Sequence, residues 1–513
     1  MKILLTAINS KYIHSNLAVR YLKAFTKDLD FQGDIKEFSI NDRVENILEG
    51  IIEEKPDVVA FSCYIWNMEF VNRLAELIKL VDPKIEILYG GPEVSYEGKE
   101  FLENHEGEYV IVGEGEKTFR EFVLYKLGEG KIEDIKGLNY KRDGKVFENP
   151  KRPEMDMNEL VFPYTYEEDI NNKIVYYEAS RGCPFKCKYC LSSVMHGVRF
   201  LDVERVKKEL KYFMERGLKL VKFVDRTFNC NREYTVELLK YLSEQDTETR
   251  FHFEVAADLL TEEQIEILNN APKGRFQLEV GVQTTNNEVL HNINRYITYE
   301  NIKEKVLKVA AGKNVMQHLD LIAGLPGEDL ESFKKSFNDV HAIRPDEIQL
   351  GFLKLLKGSS MREEAEKWGI VYSPYAPYEI IRSKDISYEE LLLLKKVEAM
   401  VDKYYNSCKF NNVIKFFLNI YEKPFDFYYD LAMFFEEKGN FKRSIGNVEY
   451  YKILLDFYDS FDRQMPFKKA HIEKFEIDII NYIKNGEINF ESKYLIFDEM
   501  NFDYDSYVEV KMK

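Results

Sequence analysis

The sequence predicts an α/β chain in three successive parts. Over residues 1–150, short apolar runs alternate with amphipathic stretches in the order βαβα, the pattern of an open, doubly wound parallel sheet covered on both faces. Over 165–365, six further apolar runs recur at intervals of about 25 to 46 residues with helical patterns between them, which suits βα units. After Trp368 the composition shifts to long helical patterns dense in aromatic residues, giving a mostly helical domain over 375–513.

Composition sets the outer bounds. A chain of 513 residues, 45% hydrophobic and 31% charged, reads as soluble and globular with about three domains. A net charge of −17 argues against charge-driven nucleic-acid binding, which needs a basic face. No apolar run reaches the ~18 residues of a membrane span. The start, MKILLTAINSKY, reads as a first strand rather than a signal peptide. Cys63, Cys230 and Cys408 stand singly, so there is no disulfide framework and a reducing cytoplasm fits.

In the first part, strands are expected at 2–7, 35–38, 58–62, 86–89 and 109–112. Helices are expected at 16–27, 43–54, 68–81 and 118–127. Ligands of such sheets bind beyond the carboxyl ends of the strands. There the sequence places Ser62, the run Gly90-Gly91-Pro92-Glu93 and the run Gly113-Glu114-Gly115-Glu116. Paired glycines let the backbone approach a ligand closely. No GxGxxG follows the first strand, which argues against a dinucleotide. His14 is the one histidine on these loops.

The second part opens, after a charged linker at 151–161, on Arg181-Gly182-Cys183-Pro184-Phe185-Lys186-Cys187-Lys188-Tyr189-Cys190. Three of six cysteines fall here, spaced C-x3-C-x2-C. Thiolates suit zinc and iron–sulfur clusters. A structural zinc takes four ligands, usually as two pairs, and only His196 is near enough in sequence to be a fourth. A cubane cluster normally takes four cysteines, so three would leave one iron open.

Six strands are expected at 174–179, 220–224, 251–255, 276–282, 317–322 and 347–353, with helices at 203–216, 232–244, 261–269, 299–313 and 330–343. Their carboxyl ends carry Asp225-Arg226-Thr227-Phe228-Asn229, then Glu254, then Glu279 and Gln283 with Arg295 downstream. The fifth carries Asp320-Leu321-Ile322-Ala323-Gly324-Leu325-Pro326-Gly327-Glu328. The third part follows a proline-bearing linker at 372–378. Helices are expected at 388–404, 411–421, 426–438 and 448–461, then a β-like acidic tail at 494–510, with no catalytic constellation.

The cysteine loop, with Tyr189 at its aromatic position, resembles that of the radical S-adenosylmethionine (SAM) superfamily. The Gly-Gly-Pro and Gly-Glu-Gly-Glu loops ahead of it resemble the cobalamin-binding domain that precedes many such enzymes. The helical third part resembles the uncharacterised extension of one bacterial group of them. The resemblance implies a Rossmann-like cobalamin-binding domain over 1–150, a partial (β/α)6 radical SAM barrel over 165–365 and a helical C-terminal domain over 375–513.

It also implies that Cys183, Cys187 and Cys190 hold a 4Fe–4S cluster whose open iron chelates SAM, giving a 5′-deoxyadenosyl radical on reduction. Tyr189, Asp225, Arg226 and Glu254 would stand beside SAM, with the Asp225–Arg226 segment at its amino group. Glu279 or Gln283 would bind ribose, Ile322 would lie beside adenine, and Arg295 would fork onto the carboxylate. Ser62, Gly90, Gly91, Gly113, Glu114 and Gly115 would meet cobalamin. The DxHxxG motif of histidine-ligated cobalamin domains is absent, so His14 is not expected on cobalt.

The implied activity is methylation of an unactivated carbon of an unknown substrate through methylcobalamin. A flavodoxin or ferredoxin would supply electrons. Three other readings stand beside it: a rearrangement or redox enzyme using cobalamin without methyl transfer, a tRNA methylthiotransferase-like enzyme, and a non-enzymatic cobalamin or redox sensor. The methylthiolation reading lacks a second cysteine cluster and a basic tail.

Overall fold

A computed structural model describes residues 1–460 except 166, 167, 169, 172, 195, 196, 411–413, 415, 416, 419 and 420. His196, most of the helix expected at 411–421 and the tail expected at 494–510 therefore lie outside the described residues. Contacts divide the chain into two units. The first comprises Met1–Gly281, Leu290–Met316 and Leu353–Ser383; the second comprises Val282–Val289, Gln317–Phe352 and Lys384–Lys513.

In the first unit, β1 (Lys2–Asn9), β2 (Gln32–Ser39), β3 (Val58–Ser62), β4 (Glu86–Gly90) and β5 (Tyr109–Ile111) pair in parallel in the order β2-β1-β3-β4-β5. The helices Leu17–Phe25, Val44–Glu53, Met68–Val81 and Glu116–Lys126 alternate with them. Along β1, Leu4 and Ile8 pack with Ile47, Val71 and Leu74. Ile3, Leu5 and Ala7 pack with Val19, Phe119 and Phe122. Burial on both faces explains why β1 is an unbroken apolar run rather than an alternating one.

The sheet is not parallel throughout, as the sequence had suggested. The hairpin β6 (Leu138–Arg142) and β7 (Lys145–Glu148) extends it antiparallel from β5. Asp143 and Gly144 make the two-residue turn with φ of 51° and 74°, the conformation that an Asp-Gly pair favours between twisted strands. The hairpin pairs the edge of β5, whose backbone groups would otherwise stay open.

The first barrel strand also differs from expectation. It breaks after β8 (Val175–Tyr177), and β9 (Ser180–Gly182) turns aside to pair antiparallel with β10 (Val198–Phe200). Gly182 has a φ of 108°, and a Cβ there would sit 2.2 Å from the carbonyl oxygen of Gly197. Only glycine permits this approach. Beyond it, β11 (Leu220–Phe223), β12 (Arg250–Val255) and β13 (Phe276–Gln283) continue in parallel from β8. The helices Val203–Glu215, Arg232–Ser243 and Glu262–Asn270 connect them. The segment expected as a linker at 372–378 is structured: Val371–Tyr372 pairs with Ile380–Arg382, and Tyr378 is only 5% exposed.

In the second unit, β14 (Met316–Ala323) and β15 (Glu347–Phe352) pair in parallel around the helix Leu330–Ile343. The helices Tyr388–Val401, Pro424–Glu437 and Asn447–Ser460 follow. Pro424 stands in the first turn of its helix, where a missing N–H costs nothing. Phe425, Phe427, Tyr428, Phe434 and Phe435 are buried, so the aromatics of this helix are core. Among the described residues no helix is long and apolar enough to cross a membrane.

Candidate functional site

The cysteine loop follows β9 directly. Cys183, Cys187 and Cys190 are half-buried free thiols. The loop is stitched to residues 293–295: Lys188 N–H donates to the Ile293 carbonyl at 3.1 Å, and Asn294 Nδ2 donates to the Lys186 carbonyl at 2.7 Å. Arg295 is thereby held against the loop, and its Nη1 donates to the Tyr189 hydroxyl at 3.3 Å. Burial pushes the Cys187 thiol up to about 11, with Arg295 opposing. Cys183 Sγ lies 3.3 Å from Thr227 Oγ1.

Among the described residues no three His, Cys, Asp or Glu side chains are placed to hold one metal ion. His196, the fourth ligand that a tetrahedral zinc would need here, lies outside the described residues. A cubane spreads its thiolates over separate irons, and a set of three sulfurs on one short loop fits it.

Asp225 is not free to meet a ligand. It is 1% exposed and accepts from Ala179 N–H at 3.0 Å and Ser180 Oγ at 2.5 Å, bracketing the end of β11 to the start of the cysteine strand. Arg226 beside it is exposed and Glu254 is half-buried. Glu279 takes His252 Nε2 at 2.9 Å and Lys222 Nζ at 3.2 Å. Burial works against its charge, but these two partners hold its carboxyl down at about 2. Gln283 and Ile322 lie in the second unit. Gln283 is buried with a φ of 69°, and Ile322 is half-buried opposite Gly351.

At the carboxyl ends of β3, β4 and β5 lies a cavity of about 120 Å³. Ser62, Gly90, Gly91, Gly113 and Gly115 line it, joined by Tyr64 and Glu116. Ser62 Oγ accepts from Asn16 Nδ2 at 3.2 Å. Gly91 has a φ of 121°, and a Cβ there would lie 2.4 Å from the Cys63 carbonyl oxygen. Glu114 is absent from this lining. It turns to Arg199, and its carboxylate accepts from Met155 N–H at 2.9 Å. Glu116 gives one oxygen to Arg181 at 2.9 Å, while its buried Oε2 has no partner among the described residues. That orphaned acceptor faces a cavity lined with glycine, and a ligand rich in amide donors fits it.

Sequence reasoning missed two features. One is the chain of ion pairs from the cavity to the cysteine loop: Glu116 to Arg181 at 2.9 Å and Arg181 to Glu178 at 2.7 Å. The other is Tyr378, whose hydroxyl donates to Glu93 at 2.8 Å. No local pattern signals a partner 285 residues away. His14 is engaged as well, its Nδ1 lying 2.6 Å from the Tyr176 hydroxyl.

Family models match this architecture. Residues 3–123 match the B12 binding domain and 177–340 the radical SAM superfamily. The central segment thus carries a radical SAM domain, with a B12 binding domain ahead of it. Residues 366–465 match a family described as a protein of unknown function, DUF4080. The "Cobalamin-dependent radical SAM methyltransferase TokK" of Streptomyces tokunonensis is 24% identical over 81% of this chain. The match spans 63% of TokK's own length. Among solved structures, the radical SAM methyltransferase TsrM from Kitasatospora setae, with cobalamin and a 4Fe–4S cluster bound, superposes with a TM-score of 0.60 at 16% identity. It covers 74% of this chain and 82% of that one. The cobalamin-dependent radical enzyme OxsB, with aqua-cobalamin and SAM bound, superposes with a TM-score of 0.61 at 15% identity, over 97% of this chain and 75% of its own. These structural likenesses show a shared fold: a B12 domain, a partial (β/α)6 barrel and a helical C-terminal part.

Proposed function

We propose that the chain is a cobalamin-dependent radical SAM enzyme that transfers a methyl group to an unactivated carbon. One observation carries the reading. Arg181, two residues before Cys183, is ion-paired at 2.9 Å to Glu116, which lines the cavity of the B12 domain. The cysteine loop and that cavity therefore face one reaction space within the first unit. TokK and TsrM, both named as methyltransferases, support methyl transfer.

When bound, the cluster and SAM supply a hydrogen-abstracting radical and cobalamin supplies a methyl group; the protein's part is to bind, orient and shield them. Cys183, Cys187 and Cys190 would hold the cluster. Arg295, fixed by the loop at 293–295, would offer its remaining N–H groups to the SAM carboxylate. Gly90, Gly91, Gly113 and Gly115 would admit the cobalamin tail, and the unpartnered oxygen of Glu116 would offer it an acceptor. A low-potential donor such as a flavodoxin or ferredoxin supplies electrons, in a reducing cytoplasm that keeps the thiols free.

The test is anaerobic reconstitution with iron, sulfide, cobalamin and SAM, then reduction and mass spectrometry of the nucleosides. Formation of 5′-deoxyadenosine together with S-adenosylhomocysteine supports the proposal. Retention of intact SAM by a fully loaded protein refutes it and favours a sensor.

A further inference from the structure

Two charged side chains near the cysteine loop are left unengaged by the protein. Arg226 follows β11 and Glu254 lies near the end of β12. Among the described residues neither makes a hydrogen bond or ion pair. Their neighbours are all taken. Both oxygens of Glu178 accept from Arg181, at 3.0 and 2.7 Å. Glu279 holds His252 and Lys222, and Arg295 holds Tyr189.

The residues on either side place Arg226: Asp225 is anchored to Ala179 and Ser180, and Thr227 Oγ1 lies 3.3 Å from Cys183 Sγ. Burial works against the charge of Arg226, while Glu254, Cys190, Tyr64 and Glu178 act to keep it. Tyr64 lines the B12-domain cavity, and Cys190 belongs to the cysteine loop. The guanidinium thus stands where the two sites adjoin. A carbon that gives up hydrogen to one cofactor and takes a methyl group from the other has to lie within reach of both.

Arginine has five N–H donors and no acceptor. It therefore cannot hold the amino group of SAM, the role its position in the sequence had suggested. Its planar fork matches a carboxylate or phosphate instead. We propose that Arg226, with Glu254 beside it, binds an anionic oxygen group of the substrate, a carboxylate or a phosphate. This rests on the enzymatic reading above. Burial raises the Glu254 carboxyl against the pull of Arg226.

The probes are pyrophosphate and succinate, titrated calorimetrically at constant ionic strength into the protein loaded with cluster, cobalamin and SAM. Saturable binding of at least one is expected. R226Q should weaken it by about tenfold or more, as befits a lost charge-assisted pair. R226K, which keeps the charge and loses the fork, should fall between. Cluster iron, bound cobalamin and SAM affinity should stay at wild-type levels in both variants. Binding of pyrophosphate alone assigns a phosphate-bearing substrate, and of succinate alone a carboxylate. Binding of neither probe, or equal binding by wild type and R226Q, overturns the inference. So does weakened SAM binding in R226Q, which would turn Arg226 to the cofactor. A wild-type chain that takes up no cluster or cobalamin instead overturns the enzymatic reading beneath it.

Discussion

D225N should change the way stability depends on pH. Asp225 is buried, and burial raises its carboxyl from 3.8 to about 7 despite the hydrogen bonds from Ser180 and Ala179. Between those values the folded chain binds a proton that the unfolded chain does not. The contribution is therefore full below about pH 4 and is lost as pH rises through 7. At about 1.36 kcal/mol per pH unit, the displacement amounts to about 4 kcal/mol, of which about 3 falls between pH 5 and 9. D225N cannot titrate. Its amide oxygen still accepts from Ala179, and the Ser180 hydroxyl can turn to accept from the amide nitrogen. Urea midpoints of the cluster-free chain under reducing conditions, taken from pH 5 to 9, should show D225N gaining on the wild type as pH rises. A constant difference across that range would mean that water reaches the carboxyl, and would refute Asp225 as a buried anchor of the cysteine strand.

Joint replacement of Cys183, Cys187 and Cys190 by Ala should abolish the broad visible absorbance and bound iron of the reconstituted protein, while Cys408→Ala leaves both unchanged. Arg295→Ala should weaken SAM binding by about tenfold or more while leaving the iron in place, as a loss of 1.4 kcal/mol or more requires; equilibrium binding measures it. Gly91→Ala forces both a strained φ and a clash with the Cys63 carbonyl. It should cost at least about 1–3 kcal/mol and lower cobalamin retention on gel filtration. Tyr378→Phe leaves the buried Glu93 carboxyl without its donor and should cost about 1–3 kcal/mol, read as a lower thermal midpoint.

Much of this was legible in the sequence because it is written locally. The strand β3 and the helices Met68–Val81 and Leu330–Ile343 were expected at the bounds observed, since periodicity and apolar runs fix them. The three-cysteine loop stands out by spacing alone. The hairpin β6–β7 was equally local: Asp143-Gly144 between short strand-forming runs is a strong turn signal, and it went unread. Other features were not written locally. Asp225 looks like a ligand in the sequence and is a bracket in the fold, because its partners Ala179 and Ser180 lie 46 and 45 positions away. Glu114 and Glu116 are two residues apart, yet one faces Arg199 and the other the cavity. Which glutamate is which follows from tertiary packing.

The contact between Glu93 and Tyr378 carries a consequence for the order of assembly. The two residues are 285 positions apart. At 5–20 residues per second, ribosomal synthesis separates them by roughly 15 to 60 seconds. Throughout that interval the B12 domain is complete in sequence, yet the Glu93 carboxyl that ends its Gly-Gly-Pro loop has no phenol to meet. The hydrogen bond waits until Tyr378, just ahead of the strand Ile380–Arg382, has been made. The contact that buries the Glu93 carboxyl thus forms only after the cysteine loop has been made.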